Sequence, residues 1–322
     1  MRKLFVRSII AMVLLACTTR AEAIGWDSND FLIGGGSSFT SRIGVFDHDL
    51  TFKGYLDTNF VTVAGMDFDA QGRLVAVAGA MRSVRVYQPT NGAIVGGFTR
   101  QDDALGSAAD LKLAPDGSYV IGTNNFGGGD GARRFQTDGS FVQQIGSGPI
   151  RAVAVVPGDK VWTGGIGTQH ITVFDLASGT QTGTISIAGI SSFRSMAFSQ
   201  STNSVLVASN ASVWELDLSG NLIRPFHADT MGLGSVARGP GGDVVATAGG
   251  NVVRWSPDGT LIGTFPSGEV GTNGIVWAGN VPEPGGLCVV GACLLMFGQR
   301  TRRSAVGTRD SHLFCAALKS EK

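Results

Sequence analysis

The sequence predicts an all-β protein whose body, residues 24–280, folds as a β-propeller of six blades, with seven as the alternative count. Three observations favour this fold. The body repeats itself at intervals of about 40 residues, each copy holds four short apolar segments, and each end of the body holds an incomplete copy. The 48 glycines of the chain stand between short blocks of Val, Ile, Phe and Trp, which is typical of tight turns between strands.

Each complete copy predicts four strands joined by turns that contain glycine or Asp-Gly. The second strand is rich in Val and Ala, the third ends in an aromatic residue, and the fourth follows a polar turn. The predicted second strands are 74–79, 119–122, 161–164, 205–208 and 244–249, and the predicted fourth strands are 94–98, 141–145, 182–187, 222–226 and 261–265. Glycines in the turns supply the positive φ values that two-residue hairpins require.

The two incomplete copies complement each other. Segments 31–35, 43–46 and 52–55 predict the second, third and fourth strands of a blade that lacks its first strand. Segment 274–278, after the fifth complete copy, predicts a first strand alone. Pairing the two would complete a sixth blade and remove the exposed sheet edges. A seventh blade would need additional strands within 24–30 or 99–108.

The N-terminus carries the features of an export signal. Residues 1–7 are basic, 8–16 are apolar, and Ala21 and Ala23 place small residues at the two positions that define cleavage. We therefore predict that 1–23 is a signal peptide and that the mature chain begins at Ile24. As an alternative, the segment Leu-Leu-Ala-Cys at 14–17 resembles a lipobox, in which Cys17 would be acylated.

The C-terminus combines a Pro-Glu-Pro element, a short apolar run and a cluster of arginines. These features are Val281, Pro282, Glu283 and Pro284, the run 287–297, and Arg300, Arg302 and Arg303. The prolines predict an extended segment before the run. Helix 285–298 would be about 21 Å long at ~1.5 Å per residue, shorter than a bilayer core of ~30 Å, which favours a transient stop over a permanent anchor. The arginines would remain on the cytoplasmic side.

This order of elements resembles the PEP-CTERM sorting signal of Gram-negative bacteria. The resemblance implies that segment 281–303 is held in the inner membrane and recognised by an exosortase. It also implies cleavage near Pro-Glu-Pro and delivery of the body to the cell surface or the extracellular matrix. Signal peptidase and exosortase are thus the expected partners during export. Residues 304–322 depart from the family pattern, because its members usually end soon after the basic cluster, and their role is open.

The charge balance of the body excludes one class of partner. The whole chain has 25 basic and 25 acidic residues, but 24–298 holds 15 basic and 22 acidic ones, a net charge of about −7. A mildly acidic body without a Lys/Arg cluster argues against nucleic acid. All four cysteines, at 17, 288, 293 and 315, lie in the terminal segments, so we predict no disulfide in the body.

Few residue patterns of the body predict catalysis or metal binding. His48, His170 and His227 are far apart in the sequence and predict neither a zinc site nor a catalytic triad. Four carboxylates lie on or beside the ends of predicted first strands: Asp67, Asp69, Asp110 and Asp116. Propellers place such residues around the central channel, so a calcium ion bound there is the alternative to a body without metal. The Gly/Asp cluster 127–131 predicts a long loop, with a calcium site as its alternative. We therefore predict no catalytic residue and no cofactor.

The tryptophans are a candidate surface for stacking sugars. Trp162, Trp214, Trp255 and Trp277 lie in predicted strands, where packing between blades is their expected role. Trp26 lies outside the predicted strands and is the freest candidate for an exposed platform.

The body resembles the broad WD40/NHL/YVTN-type propeller superfamily. Segment 119–124 is close to the YVTN pattern, whereas no blade has the Gly-His and Trp-Asp pairs of a strict WD40 repeat. Together with the sorting signal, this implies a surface-delivered module that binds extracellular polysaccharide or an envelope protein. A metal-dependent hydrolase or lyase is one alternative, and a purely structural coat protein is another.

Overall fold

The computed structural model describes residues 24–35, 42–56, 62–79, 82–100, 105, 108–124, 131–190, 192–210, 212–227, 232–267 and 273–280. Both terminal signals lie outside these residues: 1–23 with Cys17, Ala21 and Ala23, the sorting signal 281–303, and the tail 304–322. Most of the Gly/Asp cluster 127–131 does as well. Among the residues that are described, no helix has the length and apolarity that crossing a membrane requires.

The described residues form six four-stranded antiparallel sheets. Blade 1 contains β1 (Phe31–Gly35), β2 (Arg42–Phe46), β3 (Phe52–Tyr55) and β24 (Gly274–Trp277), and blade 2 contains β4 (Val63–Phe68), β5 (Leu74–Ala78), β6 (Ser83–Tyr87) and β7 (Ile94–Thr99). Blade 3 contains β8 (Ala108–Leu113), β9 (Tyr119–Thr123), β10 (Gly131–Phe135) and β11 (Phe141–Ile145), and blade 4 contains β12 (Ile150–Val156), β13 (Lys160–Gly165), β14 (His170–Asp175) and β15 (Gln181–Ser186). Blade 5 contains β16 (Ser195–Ser199), β17 (Ser204–Ala208), β18 (Ser212–Asp217) and β19 (Leu222–His227), and blade 6 contains β20 (Leu233–Arg238), β21 (Val244–Ala248), β22 (Asn251–Trp255) and β23 (Leu261–Pro266).

The C-terminal strand closes the ring, as the sequence predicts. Strand β24 pairs antiparallel with β1, with Ile275 opposite Ile33 and Trp277 opposite Phe31. Two backbone hydrogen bonds fix its ends: Asn273 donates to the Gly34 carbonyl and Ala278 to the Asp30 carbonyl. The first strands of successive blades contact each other around the whole ring, including β24 with β4. The six sheets of the described residues confirm the six-bladed prediction. Of the two segments considered for a seventh blade, 24–30 forms no strand, and part of 99–108 lies outside the described residues.

Six hydrophobic clusters fill the six interfaces between neighbouring blades. Between blades 1 and 2, Leu32 and Val45 pack with Met66 and Leu74, and all four side chains are at most 1 % exposed. The other clusters join blades 2 and 3, 3 and 4, 4 and 5, 5 and 6, and 6 and 1. The core is therefore distributed around the ring, and each blade is stabilised by burying both of its faces.

The second strands are rich in apolar residues because both of their faces are buried. In β5, Leu74, Ala76 and Ala78 belong to the cluster shared with blade 1, whereas Val75 and Val77 belong to the cluster shared with blade 3. A strand that is buried on both faces has no polar side to alternate with.

Aspartates stabilise the hairpins between the third and fourth strands. The Asp217 Oδ1 atom accepts hydrogen bonds from the backbone N–H groups of Ser219 and Asn221 at 2.9 and 2.8 Å. The Asn221 side chain and these amides hold the pKa of Asp217 below its usual value. Equivalent bonds to turn amides are made by Asp47, Asp138, Asp175 and Asp258. Many of the acidic residues of the body therefore act in turn formation.

The strand directions define two faces of the ring. First strands begin on the face that we call the loop face, which also carries the connections that lead into each new blade. The opposite face, the hairpin face, carries the hairpins between first and second and between third and fourth strands. Functional residues of a propeller are best sought on the loop face, because connections vary while the strands that hold them are fixed.

Candidate functional site

A polar cavity opens on the loop face where the first strands begin. Its volume is about 470 Å³, and we call it the funnel. Small residues, including Ala64, Ala109 and Gly234, form one part of its wall. The polar side chains are those of Thr62, Asn124, Arg151, Arg194 and Asn273.

β-Bulges place the side chains of the funnel. The pairing of β12 with β13 shifts between Ile150 and Ala152, so Arg151 is the additional residue of a bulge. In β8 the equivalent shift leaves Ala109 as the additional residue, and in β4 it leaves Ala64. Arg194 lies just before β16, where its N–H donates to the Ala208 carbonyl. The same structural position therefore holds alanine in blades 2 and 3 but arginine in blades 4 and 5.

The two arginines of the funnel have no carboxylate partner among the described residues. Arg194 Nε donates to the Asn210 Oδ1 atom at 2.7 Å, which orients the guanidinium group, and no carboxylate of the described residues compensates its charge. Arg151 makes no side-chain hydrogen bond or ion pair within the described part of the chain, and both arginines are half-buried. A local positive charge thus faces an opening in a body of net negative charge.

Asn210 connects Arg194 to the next blade. Its side chain accepts from Arg194, and its backbone carbonyl accepts from the N–H groups of Gly232 and Leu233, at 2.7 and 3.2 Å. Gly232 and Leu233 both line the funnel. Asn210 therefore links Arg194 to the part of the funnel wall that blade 6 supplies.

Asn124 presents an acceptor without a donor. Its Oδ1 atom is buried and has no hydrogen-bond partner within the described residues. Burying such an atom unpaired costs roughly 1–3 kcal/mol. Since Asn124 lines the funnel, a ligand hydroxyl or a water molecule could satisfy this oxygen.

A buried ion cluster joins blades 2, 3 and 4. The Lys112 Nζ atom lies 3.0 Å from Asp110 Oδ1, and Asp67 interacts with the same ammonium group electrostatically. Asp67 Oδ2 also accepts from the Leu113 N–H at 2.8 Å, and Asp110 Oδ2 accepts from the Val153 N–H at 3.0 Å. Each carboxylate therefore holds its own blade to the next one.

Burial and neighbouring charges shift the pKa values of this cluster in opposite directions. Burial raises the pKa of Asp67 and of Asp110, although Lys112 and backbone amides act in the opposite direction. Burial alone would lower the pKa of Lys112, but the two carboxylates outweigh it and raise that pKa. Lys112 remains protonated and is the cation of the cluster.

The four aspartates considered for calcium do not converge. Asp67 and Asp110 share Lys112, Asp69 pairs with Arg73 at 2.7 Å, and Asp116 pairs with Arg134. Within the described ranges, no three metal-ligating side chains of His, Cys, Asp or Glu come together. The charges of Asp67 and Asp110 are already compensated by the Lys112 ammonium group.

The three histidines of the body also lie apart. His48, which is exposed, contacts Asp49 at 3.1 Å. His227 lies at the end of β19 with Ser212 at 3.2 Å from its Nδ1 atom, and His170 begins β14. They belong to three different blades, so they form no common site.

The structure corrects the interpretation of Trp26. Its side chain is only 8 % exposed and packs 6.2 Å from the Phe68 ring in the interface between blades 1 and 2. The Trp26 N–H donates to the Pro89 carbonyl, which holds the N-terminal segment against blade 2. Trp26 therefore offers no exposed surface to a sugar. Trp162 and Trp255 are fully buried, and Trp214 and Trp277 are partly buried.

The outer strands expose pairs of apolar residues. These pairs begin the fourth strands of blades 2, 3, 5 and 6, and each residue is at least 40 % exposed: Ile94 and Val95, Phe141 and Val142, Leu222 and Ile223, and Leu261 and Ile262. The second residue of each pair is the additional residue of a β-bulge. The outer edges of four blades therefore carry exposed apolar side chains.

Comparisons with solved structures identify the same architecture. No protein-family model and no curated protein matches the chain. A chain from a nidogen/laminin complex superimposes with a TM-score of 0.65 at 13 % identity, over 77 % of this chain and 97 % of that chain. The β-propeller domain of Cps50 (Swd1) from Myceliophteria thermophila gives 0.56 at 11 % identity, over 81 % and 90 % of the two chains. A catalytically inactive virginiamycin B lyase from Staphylococcus aureus with quinupristin gives 0.54 at 14 % identity, over 79 % and 90 %.

The body is therefore a six-bladed β-propeller. The candidate site among the described residues is the funnel, the polar cavity where the first strands begin. The sequence interpretation did not single out the residues that give this cavity its charge, Arg151 and Arg194. The one signal that could have found them is the change from alanine to arginine at equivalent positions of the repeat.

Proposed function

We propose that the protein is an exported β-propeller of the cell surface or extracellular matrix and acts as a binding module through the funnel. Its ligand would be an extracellular polysaccharide or another envelope protein. One observation carries this proposal: the funnel presents two arginines whose charges no described carboxylate compensates. A matching chain comes from a nidogen/laminin complex, so the same architecture serves in a protein–protein assembly elsewhere.

Narrowing the funnel should weaken polysaccharide binding. Ala109→Phe places a large neutral side chain at the mouth, and we expect it to reduce polysaccharide binding at least about 10-fold through steric exclusion. Binding would be measured by biolayer interferometry, with full-length protein in mild detergent and immobilised dextran, xylan and polygalacturonate.

Ala177→Phe is the matched control, because Ala177 is exposed in a turn of the hairpin face. This variant should bind as the wild type does. Absence of binding to every polysaccharide would leave only an envelope protein as the ligand, and the funnel would not be the binding site if Ala109→Phe bound as tightly as Ala177→Phe.

Export and sorting form the second part of the proposal. We infer that 1–23 is removed by signal peptidase and that 281–303 is inserted transiently in the inner membrane and cut by an exosortase. The support is the order of the Pro-Glu-Pro element, the short apolar run and the arginines in the sequence. Acylation of Cys17 is the rival N-terminal modification.

Joint replacement of Pro282 and Pro284 with alanine should block release in a Gram-negative host that has an exosortase. Alanine allows the helix to continue into this segment, which would hide the backbone from cleavage. Fractionation and intact-mass measurement should find wild-type protein outside the inner membrane, running from Ile24 to near Pro284.

The double variant should instead stay in the inner membrane with residues 285–322 attached. Pro257→Ala, in a turn of the body, is the control and should be processed normally. Equal processing of all three proteins would refute exosortase sorting, and a lipid mass on a chain that begins at Cys17 would establish acylation.

One observation favours the structural coat as a second candidate function. The exposed apolar pairs lie on outer strands with open edges, and such edges can pair with identical edges of a second copy. Light scattering on the same purified protein distinguishes the two candidates. A coat protein would form extended assemblies without polysaccharide, whereas a binding module would remain small until ligand is added. For the hydrolase or lyase alternative, the described residues provide no convergent set of metal ligands.

A further inference from the structure

Two guanidinium groups occupy equivalent positions on adjacent blades. Arg151 lies in the bulge of β12, and Arg194 directly precedes β16, so both are held by the strands that surround the channel. A guanidinium group has five donors in a planar fork that matches a carboxylate. Two such groups on neighbouring blades can bind two anionic groups of one ligand.

The surroundings leave these charges available to a ligand. Arg194 is oriented by a neutral amide at 2.7 Å, and Arg151 has no side-chain partner within the described residues. No acidic side chain lines the funnel in the described part of the chain. An anionic ligand would therefore supply the missing compensation, and complementary charge favours association.

The lining favours a sugar polymer over an acidic protein. The funnel wall consists of Ala, Gly, Thr, Asn and Arg, with one buried leucine and no aromatic side chain among the described residues. Protein interfaces draw most of their energy from large aromatic and arginine anchors in well-packed pockets, and this wall has no apolar pocket for such anchors. The unpaired Asn124 Oδ1 atom needs a donor, which a sugar hydroxyl provides.

We propose that the funnel binds a carboxylate-bearing polysaccharide, with Arg151 and Arg194 pairing with carboxylates of the polymer and Asn124 accepting from a hydroxyl group. The proposal rests on the proposed function of the funnel and specifies its ligand class. The ligand is thus a polyuronate-like chain.

The test compares two forms of one polymer. Full-length protein is measured against immobilised polygalacturonate and against the same polymer with its carboxylates fully methyl-esterified. We expect the ester to bind at least about 10-fold more weakly, because charge-assisted hydrogen bonds to the arginines are lost. Affinity for the acid form should also fall as NaCl is raised, while affinity for the ester should not.

Variants assign the effect to the funnel. Arg151→Gln and Arg194→Gln should each weaken binding to polygalacturonate about 10-fold and leave binding to the ester unchanged. Asn210→Asp has nearly the same shape as the wild type but brings a carboxylate to the Arg194 guanidinium group, so it should weaken binding in the same way. Lys160→Gln removes a positive charge from the hairpin face and should bind as the wild type does. Thermal melting verifies that each variant is folded.

Each outcome decides between the sources of the anion. If the acid and ester forms of the polymer bound with equal affinity, and Ala109→Phe still weakened that binding, this proposal would be overturned and the proposed function would remain intact. Tighter binding of poly-glutamate than of polygalacturonate would assign the site to an acidic protein. Stronger competition by inorganic phosphate than by galacturonate would assign it to phosphate groups. Either result would overturn the proposal. Absence of binding to every polysaccharide would overturn this proposal and also exclude polysaccharide as the ligand in the proposed function.

Discussion

Replacing Ile275 with alanine is expected to lower the free energy of unfolding by about 3 kcal/mol. Ile275 is only 2 % exposed in the middle of β24, opposite Ile33, and belongs to the cluster between blades 6 and 1. The substitution removes apolar contacts at the one interface that depends on the two ends of the body meeting. Because the ring joins every blade to two neighbours, a loss at this interface should lower the stability of the whole domain. Urea unfolding of full-length protein, followed by tryptophan fluorescence, measures the effect.

Ile262→Ala is the matched control for this prediction. Ile262 is 51 % exposed on the outer strand of blade 6, so the same change of side chain should alter stability by less than about 0.5 kcal/mol. If the two variants had equal stability, β24 would not close the ring in solution. If only Ile275→Ala unfolded at lower urea, the closure would be shown to contribute to global stability.

The propeller could be predicted from the sequence because its determinants are local and repeated. The second strands are rich in apolar residues, as in Leu74–Ala78, since both of their faces are buried. Each hairpin carries its own turn chemistry, such as Gly220 with a φ of 87° beside Asp217. The closure by 274–277 could be inferred because the N-terminal copy lacks a first strand and the C-terminal segment supplies one. The observed closing strand, Gly274–Trp277, lies within the predicted segment.

The site could not be predicted to the same extent, because it depends on convergence of residues from distant copies. Arg151 and Arg194 are unremarkable in the sequence, and only the bulges and the ring bring them to one opening. Trp26 was misassigned for a related reason. It lies outside any strand, and its burial results from the docking of the N-terminal segment on blade 2 through the Pro89 carbonyl. Periodic patterns contain no information about such a contact.

The channel aspartates were recognised in the sequence, but their partner was not. Lys112 lies two residues after Asp110 in an apolar strand, and nothing in the sequence distinguishes it from a solvent-exposed lysine. In the structure it is the cation that permits two carboxylates to be buried. A stabilising role for Lys112 is therefore a consequence of the fold that can be tested separately from ligand binding.

Lys112→Met should lower the free energy of unfolding by about 3 kcal/mol at pH 7, because it leaves Asp67 and Asp110 buried without a compensating charge. The loss should shrink as the pH falls. Burial already raises the folded-state pKa of both carboxyls above the usual 3.8, and removal of Lys112 raises it further. The folded variant then binds protons more readily than the unfolded chain, so its stability increases as the pH falls through the raised pKa values.

Urea unfolding of Lys112→Met at pH 7, 6 and 5 measures this effect, with wild type at each pH as the reference. Lys160→Met is the matched control, since Lys160 is exposed at the start of β13 and should change stability by less than about 0.5 kcal/mol at every pH. A deficit that stayed constant with pH would mean that the lysine stabilises the fold through packing of its methylene groups. A deficit that shrank towards pH 5 would demonstrate that the two carboxylates depend on its charge, because protonation of the carboxyls would then replace what the ammonium group provides.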